Sequence, residues 1–382
     1  MSTAIFKLKD IITIETLKLF FQTYKDFFIK YSFSKKFIRH IKNTLIRFLR
    51  CRDYKKNFAV FVCSSCGHSA VRPHTCKSKL CPTCGKIYSE HITQNFLSKM
   101  IDKRHRHILF TLPDYLWNFF IGRQDLLAQI SDALFNLFKF QFAKSKVKYF
   151  AFSVFFHTFG RDMKFNPHLH IIITEGGFTD SFIWKNVSHF PWKVFDKSWK
   201  KILSDVLSPL KSDITTLQSA ISKLWREDSS VFFNIKGDTL HNPNSTIRYL
   251  GRYLARPPIA EYRITFFDGN IVRFWYIDLH DKSKKFIELP ILKFIGRIIL
   301  QIPHDNFKMI RHYGLYARHI SSSFKSSLTS FKTMNLSKKY FLSWQAKIYR
   351  WIDFNPLVCP KCNIVMQLSA IIYNDKLYSF RC

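Results

Sequence analysis

His168 and His170 stand two residues apart, with Leu169 between them and three isoleucines after them. On a strand, alternate side chains share a face, so both imidazoles would project one way while Leu169 turns into the core. Two imidazoles so placed can chelate one divalent ion, although a polar-face pair that binds nothing has the same spacing. His105 and His107 repeat the pattern, but Arg106 lies between them and would share a face with Ile108, Phe110 and Leu112. That strand end is expected near solvent and nucleic acid rather than a metal.

A second group with chemical potential lies in STIRYLGRYLARPP, residues 245–258. Ser245 or Thr246 can cap a helix, and Pro257 and Pro258 stop it. Tyr249 and Tyr253 are then at i and i+4 on one face. Leu250 and Leu254 form a stripe for the core, and Arg248, Arg252 and Arg256 a third stripe suited to phosphates. A phenol, with a pKa of about 10, is a weak nucleophile at neutral pH and needs a metal-polarised phosphate and nearby positive charge. An amphipathic helix whose tyrosines rim a core has the same pattern. Tyr313 and Tyr316 are spaced less well for stacking on one helix face.

The cysteines form the third group. Cys63-x-x-Cys66 is followed after fourteen residues by Cys81-x-x-Cys84. Each pair sets two thiolates on one tight turn, and two facing turns give the tetrahedron Zn2+ prefers. Gly67 and Gly85 follow the second cysteine of each pair, where a knuckle needs a permissive backbone. Cys51, Cys76, His68 and His74 remain to complete a second site or replace a ligand. Cys359-Pro-Lys-Cys362 starts a further knuckle, and Cys382 follows after nineteen residues, matching three ligands of a ribbon whose fourth would fall where the chain stops. Nine cysteines, an odd number mostly in Cys-x-x-Cys pairs, suit metal binding in a reducing cytoplasm rather than disulfides.

Several elements must position these groups. Residues 1–50 read as a basic helical lead-in and 51–98 as a compact cysteine-bearing unit. HRHILFTLP (105–113) reads as a strand, 124–144 as a helix, and 147–160 and 168–177 as two strands of one sheet. A polar segment from about 180 to 245 follows. Residues 261–278 look like a hairpin turning at Asp268-Gly269-Asn270, and 291–350 are mixed and basic. Lys and Arg total 60 against 26 Asp and Glu, for a formal net charge of +34. Such an excess, spread along the chain, points to a nucleic-acid groove. No apolar run approaches the about 20 residues of a membrane helix, so no membrane partner is expected. The N-terminal stretch carries charges within its apolar part and is not expected to be a signal peptide. No P-loop lysine motif and no G-x-G-x-x-G occurs, so no nucleotide cofactor is expected.

Taken in order, the cysteine knuckles, HILFTLP, HTFG…NPHLHIIITEGG, RYLGRYLARPPIAEYRI, IRHYGLYA and the late CPKC are similar to one family. The chain resembles the two-tyrosine rolling-circle insertion-sequence transposases of the HUH superfamily, the IS91 type with an N-terminal zinc-binding domain, from about residue 45 to 365. The resemblance implies an α+β chain. A central antiparallel sheet flanked by helices, the HUH endonuclease fold, would span 100–290, after a small zinc-binding domain at 51–98 and before a basic mixed C-terminal region at 291–382. It implies Mg2+ or Mn2+ at His168 and His170, with Tyr249 and Tyr253 as paired nucleophiles. Zn2+ would sit at Cys63, Cys66, Cys81 and Cys84, with Cys51 and Cys76 as further candidate ligands. It implies cleavage and rejoining of single-stranded DNA at element and target ends through a 5′-phosphotyrosine, in the bacterial cytoplasm at the nucleoid, with host replication factors as further partners. Where the family often has a histidine before the proline of the histidine motif, this chain has Asn166. The further ligand is therefore open among His157, Asn166 and Glu175. Two other readings use the same residues: a replication initiator or relaxase with the same chemistry, and a non-catalytic zinc-containing DNA-binding protein.

Overall fold

The computed structural model describes residues 6–55, 57–187, 189–210, 214–226, 257–278, 281–318, 355, 357–373 and 376–380. Tyr249, Tyr253, Arg248, Arg252, Arg256 and Cys382 lie outside the described residues, as does the helix expected around the tyrosines. The basic lead-in is helical: α1 (Leu8–Ile11), α2 (Ile14–Thr23), α3 (Lys25–Lys30) and α4 (Lys35–Leu49). The Ser34 side chain accepts from the Phe37 N–H and caps α4, whose buried Phe37, Ile41, Leu45 and Phe48 form one stripe at helical spacing. The cysteine-rich unit follows with the strands β1 (Phe58–Val62) and β2 (Ser69–Pro73). Its helix α5 (Pro82–Leu97) has Cys81 as N-cap and Pro82 in the first turn, where a missing N–H costs nothing.

The long apolar runs build the central antiparallel sheet. β3 (His105–Thr111) leads through the short α6 (Asp114–Trp117) to α7 (Gln124–Lys144), and the hairpin of β4 (Ala151–Phe159) and β5 (Phe165–Thr174) follows. Next come β6 (Gly176–Phe178) and β7 (Trp184–Asn186), which pair with each other. The segment read as polar linker contains two helices, α8 (Trp192–Leu207) and α9 (Ile214–Arg226). In α8, Phe195, Trp199, Leu203, Val206 and Leu207 recur at helical spacing and are buried. The charged residues on the other side of α8 gave its composition a loop-like look.

After the undescribed stretch, β8 (Ile264–Phe267) and β9 (Ile271–Ile277) form the expected hairpin. Gly269 takes φ +97°, and Asp268 Oδ1 accepts from the N–H groups of Asn270 and Ile271 at 2.8 Å each. β10 (Lys284–Pro290) and α10 (Ile291–Ile299) lead to β11 (Ile310–Gly314), and β12 (Gln367–Tyr373) and β13 (Lys376–Ser379) follow. The central sheet has the order β11-β4-β5-β3, and a separate three-stranded sheet the order β10-β9-β8. β12 pairs antiparallel with β1, so residues assigned by sequence to the C-terminal region complete the sheet β13-β12-β1-β2 of the cysteine-rich unit.

Register gives the central sheet two unlike faces. Phe110 pairs with Leu169 and Leu169 with Phe156, so these side chains share the face that packs on α7 and α8 in the largest core. Leu109, His170 and Phe155 are also direct partners and face the other way. On that second face Phe155 and Ile172 bury against Phe96 and Leu97 of α5. The α5 helix therefore joins the cysteine-rich unit to the sheet.

Candidate functional site

Three imidazoles converge on the second face of the central sheet, further along the hairpin from its contacts with α5. His168 and His170 alternate along β5, and His157 of β4 sits opposite His168 in the ladder. The ring centroids of His157 lie 5.2 Å from His168 and 4.3 Å from His170, and those of His168 and His170 are 5.1 Å apart. One nitrogen from each ring lies within 4.8 Å of the others. His157 and His170 are buried and His168 is half-buried, so the cluster opens on the His168 side.

Burial moves all three imidazoles down. His168 falls to about 4, and His157 and His170 fall well below the ordinary value, each lowered further by the neighbouring rings. They are therefore neutral at pH 7, as metal ligands must be. The surroundings also orient the rings. His168 Nδ1 lies 2.8 Å from the Asn166 carbonyl, which can only accept, so Nδ1 carries the proton and Nε2 presents its lone pair. His170 Nδ1 lies 2.8 Å from His107 Nε2, with the two rings stacked 5.0 Å apart. A proton on His170 Nδ1, donated to His107, leaves His170 Nε2 free to coordinate. Three such nitrogens fit a borderline divalent ion such as Zn2+ and bind the harder Mn2+ more weakly.

Of the three candidates for a further ligand, His157 joins the pair. Asn166 contributes its backbone carbonyl to His168, and Glu175 is buried in an ion pair with Arg106 at 2.6 Å. Arg106 also stacks over Phe190 and Trp192, so the strand end expected near nucleic acid is instead locked into the protein. His107, set aside with it, contacts the cluster directly. The signal for His157 was the hairpin itself: the turn Gly160–Lys164 brings residues 157 and 168 face to face.

The thiols sort differently from the expected grouping. Cys81 and Cys84 assemble with Cys51 and Cys76, whereas Cys63 and Cys66 assemble with Cys359 and Cys362. The two pairs also differ locally, since Cys81 caps the start of a helix while Cys63 follows β1 into a tight turn. Cys51 Sγ lies 3.6 Å from Cys84 Sγ and 3.8 Å from Cys81 Sγ. A tetrahedron with Zn–S bonds of about 2.3 Å has S···S edges of about 3.8 Å. The four-thiol group shares its core with Leu80 and with Met163, at the tip of the β4–β5 hairpin that carries the histidines. Lys79, in the same loop, is close enough to oppose a charge on His157, and burial lowers it to about 8. Ile259, six residues beyond Tyr253, is buried in that same core, and the Arg263 guanidinium donates to the Arg161 carbonyl at 2.7 Å. The chain thus resumes beside the hairpin tip.

Comparison with known proteins agrees with these features. A family model described as "Putative transposase" matches residues 152–323, and one described as "Transposase zinc-binding domain" matches residues 20–112. The chain is 27% identical over 351 residues to the transposase for insertion sequence element IS801 of Pseudomonas savastanoi pv. phaseolicola, covering 86% of this chain and 83% of that protein. It is 23% identical over 294 residues to "Putative transposase y4qJ" of Sinorhizobium fredii, covering 69% and 71%. No solved structure matches the chain.

Proposed function

Starting from its membership of the IS91-type insertion-sequence transposases with an N-terminal zinc-binding domain, we propose that this DNA-processing enzyme cuts and rejoins single-stranded DNA by tyrosine transesterification. The observation that carries this reading is the convergence of His157, His168 and His170 from two adjacent strands, with His168 Nδ1 bound to the Asn166 carbonyl. These three residues would hold Mn2+ or Mg2+. A bound ion supplies polarisation of a non-bridging oxygen of the scissile phosphate. Tyr249 or Tyr253 loses its phenolic proton to solvent and attacks phosphorus through its phenolic oxygen, the P–O3′ bond breaks, and the departing 3′ oxygen takes up a proton from solvent. The product is a 5′-phosphotyrosine, which keeps the bond energy for rejoining without a nucleotide. Arg248, Arg252 and Arg256 bind the flanking phosphates, and Lys79 adds positive charge from the zinc-binding side. The second tyrosine accepts the other strand end, so transfer replaces simple nicking, as rolling-circle transposition requires. Zn2+ at Cys51, Cys76, Cys81 and Cys84 fixes the loop of Lys79 and the start of α5 against the histidine hairpin. The central antiparallel sheet, with α7 and α8 on one face and α5 on the other, suits the HUH endonuclease fold, and the enzyme acts at the bacterial nucleoid alongside host replication factors.

The test uses single-stranded oligonucleotides from the element's ends, labelled at the 3′ end, with Mn2+ or Mg2+. The expected product is a labelled protein–DNA adduct that survives SDS, maps to Tyr249 or Tyr253, and is lost in the Tyr249→Phe/Tyr253→Phe double variant and in His168→Ala. Tight binding without an adduct across all ends, or cleavage that leaves a free 5′ phosphate, would overturn the reading.

A further inference from the structure

We propose that Cys63, Cys66, Cys359 and Cys362 hold a second zinc ion, which clasps the C-terminal segment onto the N-terminal cysteine-rich unit. The two Cys-x-x-Cys segments are copies of one backbone device. The Cys63 N–H donates to the His68 carbonyl at 2.9 Å, and the Gly67 N–H donates back to the Cys63 carbonyl at 3.0 Å. In the other segment the Cys359 N–H donates to the Ile364 carbonyl at 2.8 Å, and the Asn363 N–H to the Cys359 carbonyl at 2.9 Å. The residue after the second cysteine is left-handed in both, Gly67 at φ +69° and Asn363 at φ +58°. Glycine and asparagine are the residues that tolerate that conformation. Two turns alike to this degree, 299 positions apart at their nearest thiols, present four sulfurs to one point.

The spacing is that of a tetrahedron and not of a disulfide. Cys63 Sγ lies 3.3 Å from Cys362 Sγ, and Cys66 Sγ lies 3.6 Å from both Cys359 Sγ and Cys362 Sγ. A four-thiolate zinc site has edges of about 3.8 Å, against about 2.05 Å for an S–S bond. Four thiolates with no imidazole or carboxylate suit zinc or iron among the common ions, and the match of residues 20–112 to a transposase zinc-binding domain favours zinc. The surrounding sheet is continuous with the site, since β1 ends at Val62, next to Cys63, and pairs with β12, which begins just beyond the second knuckle. Cys63 and Cys359 are buried, whereas Cys66 is exposed and Cys362 half-buried, so this ion is open to chelators. The Cys51, Cys76, Cys81 and Cys84 group is buried throughout. The two ions should therefore leave at different rates.

Cobalt(II) substitution of the full chain tests the clasp, because thiolate-to-cobalt charge transfer counts sulfur sites and ignores any ion on the histidines. The wild-type band is expected to saturate at two thiolate-bound equivalents, and in the Cys359→Ser/Cys362→Ser variant at half the amplitude. Zinc release to a chelator from the wild type is expected in a fast and a slow phase, with the fast phase missing from the variant. If the variant does not fold, the wild-type stoichiometry and the two release phases decide alone. Saturation at one thiolate-bound equivalent, a single release phase in the wild type, or a Cys63–Cys362 disulfide in non-reducing mass spectrometry would overturn the proposal.

Discussion

At the scale of single residues, the deciding feature is how the histidines are oriented. His107 contacts no substrate in the proposed reaction; it holds His170 by its Nδ1. Removal of such a partner typically costs about 10–100-fold in metal affinity or activity. His107→Phe should therefore raise the Mn2+ concentration needed for adduct formation by about that factor, with activity recovering at excess Mn2+ and partly restored by His107→Gln. An unchanged metal requirement would reduce His107 to a packing residue. Donor chemistry adds a second expectation. Three neutral nitrogens match Mn2+ better than Mg2+, which favours oxygen ligands. Half-maximal cleavage should come at a lower Mn2+ than Mg2+ concentration, and the reverse order would point to an added oxygen ligand. The alternation of His168 and His170 was legible in the sequence because it needs only the period of a strand. His107 was not, because a single Arg106 seemed to expose its strand, whereas a buried carboxylate from Glu175 accounts for that arginine.

At the scale of elements, α5 acts as a strut between the four-thiol group and the sheet. Phe96, near its end, sits edge-on to Phe155 and Tyr316 and stacks on His312. Phe96→Ala should destabilise the chain by about 3–5 kcal/mol in urea unfolding, and a loss under about 1 kcal/mol would show that α5 does not brace the sheet. The polar groups beneath it give a pH signature. His105 donates from Nδ1 to the Lys103 carbonyl at 2.7 Å and accepts from the Tyr316 hydroxyl at 2.6 Å, while His312 Nδ1 meets Ser153 Oγ at 2.8 Å. Burial lowers both imidazoles to about 4 from 6.5. Above pH 6.5 neither the folded nor the unfolded chain protonates them, and their full contribution is present. As pH falls from 6.5 towards 4 the unfolded chain takes up the protons first, so stability declines by up to roughly 3 kcal/mol per group. The urea midpoint should drop between pH 7.5 and 5, and His312→Gln should flatten that slope; a slope identical to the wild type would exclude the imidazole as its source. The strands β3, β4 and β5 and the helix α7 were legible because their apolar periods run uninterrupted. The helices α8 and α9 were hidden by lysines and serines on their outer faces, although Phe195, Trp199 and Leu203 already carried a helical period.

At the scale of the whole molecule, two properties act beyond local pattern. The joining of β12 to β1 requires closure between distant parts of the chain, which spacing cannot report; only the matching turn chemistry of Cys63-x-x-Cys66-Gly67 and Cys359-x-x-Cys362-Asn363 hinted at it. Net charge, by contrast, is fully legible. A chain at +34 has few acidic groups to neutralise its own surface; among the described residues Arg106, Arg123, Arg273 and Arg311 and Lys148, Lys164, Lys201 and Lys285 have carboxylate partners, a small share of the 60 Lys and Arg in the chain. Binding to single-stranded DNA should therefore be driven largely by counterion release. Each phosphate neutralised contributes about 0.7 to the slope of log K against log salt, so six contacts weaken binding by about 300-fold between 50 and 200 mM salt. The wild type should show a slope near −4, measured by fluorescence anisotropy with an oligonucleotide long enough to span the site. Replacing Arg248, Arg252 and Arg256 together by glutamine should make the slope shallower by about 2, while the cysteine and histidine groups stay loaded with metal. A wild-type affinity indifferent to salt would mean that base stacking, not phosphate charge, holds the strand, and the arginine stripe would then lose its assigned role.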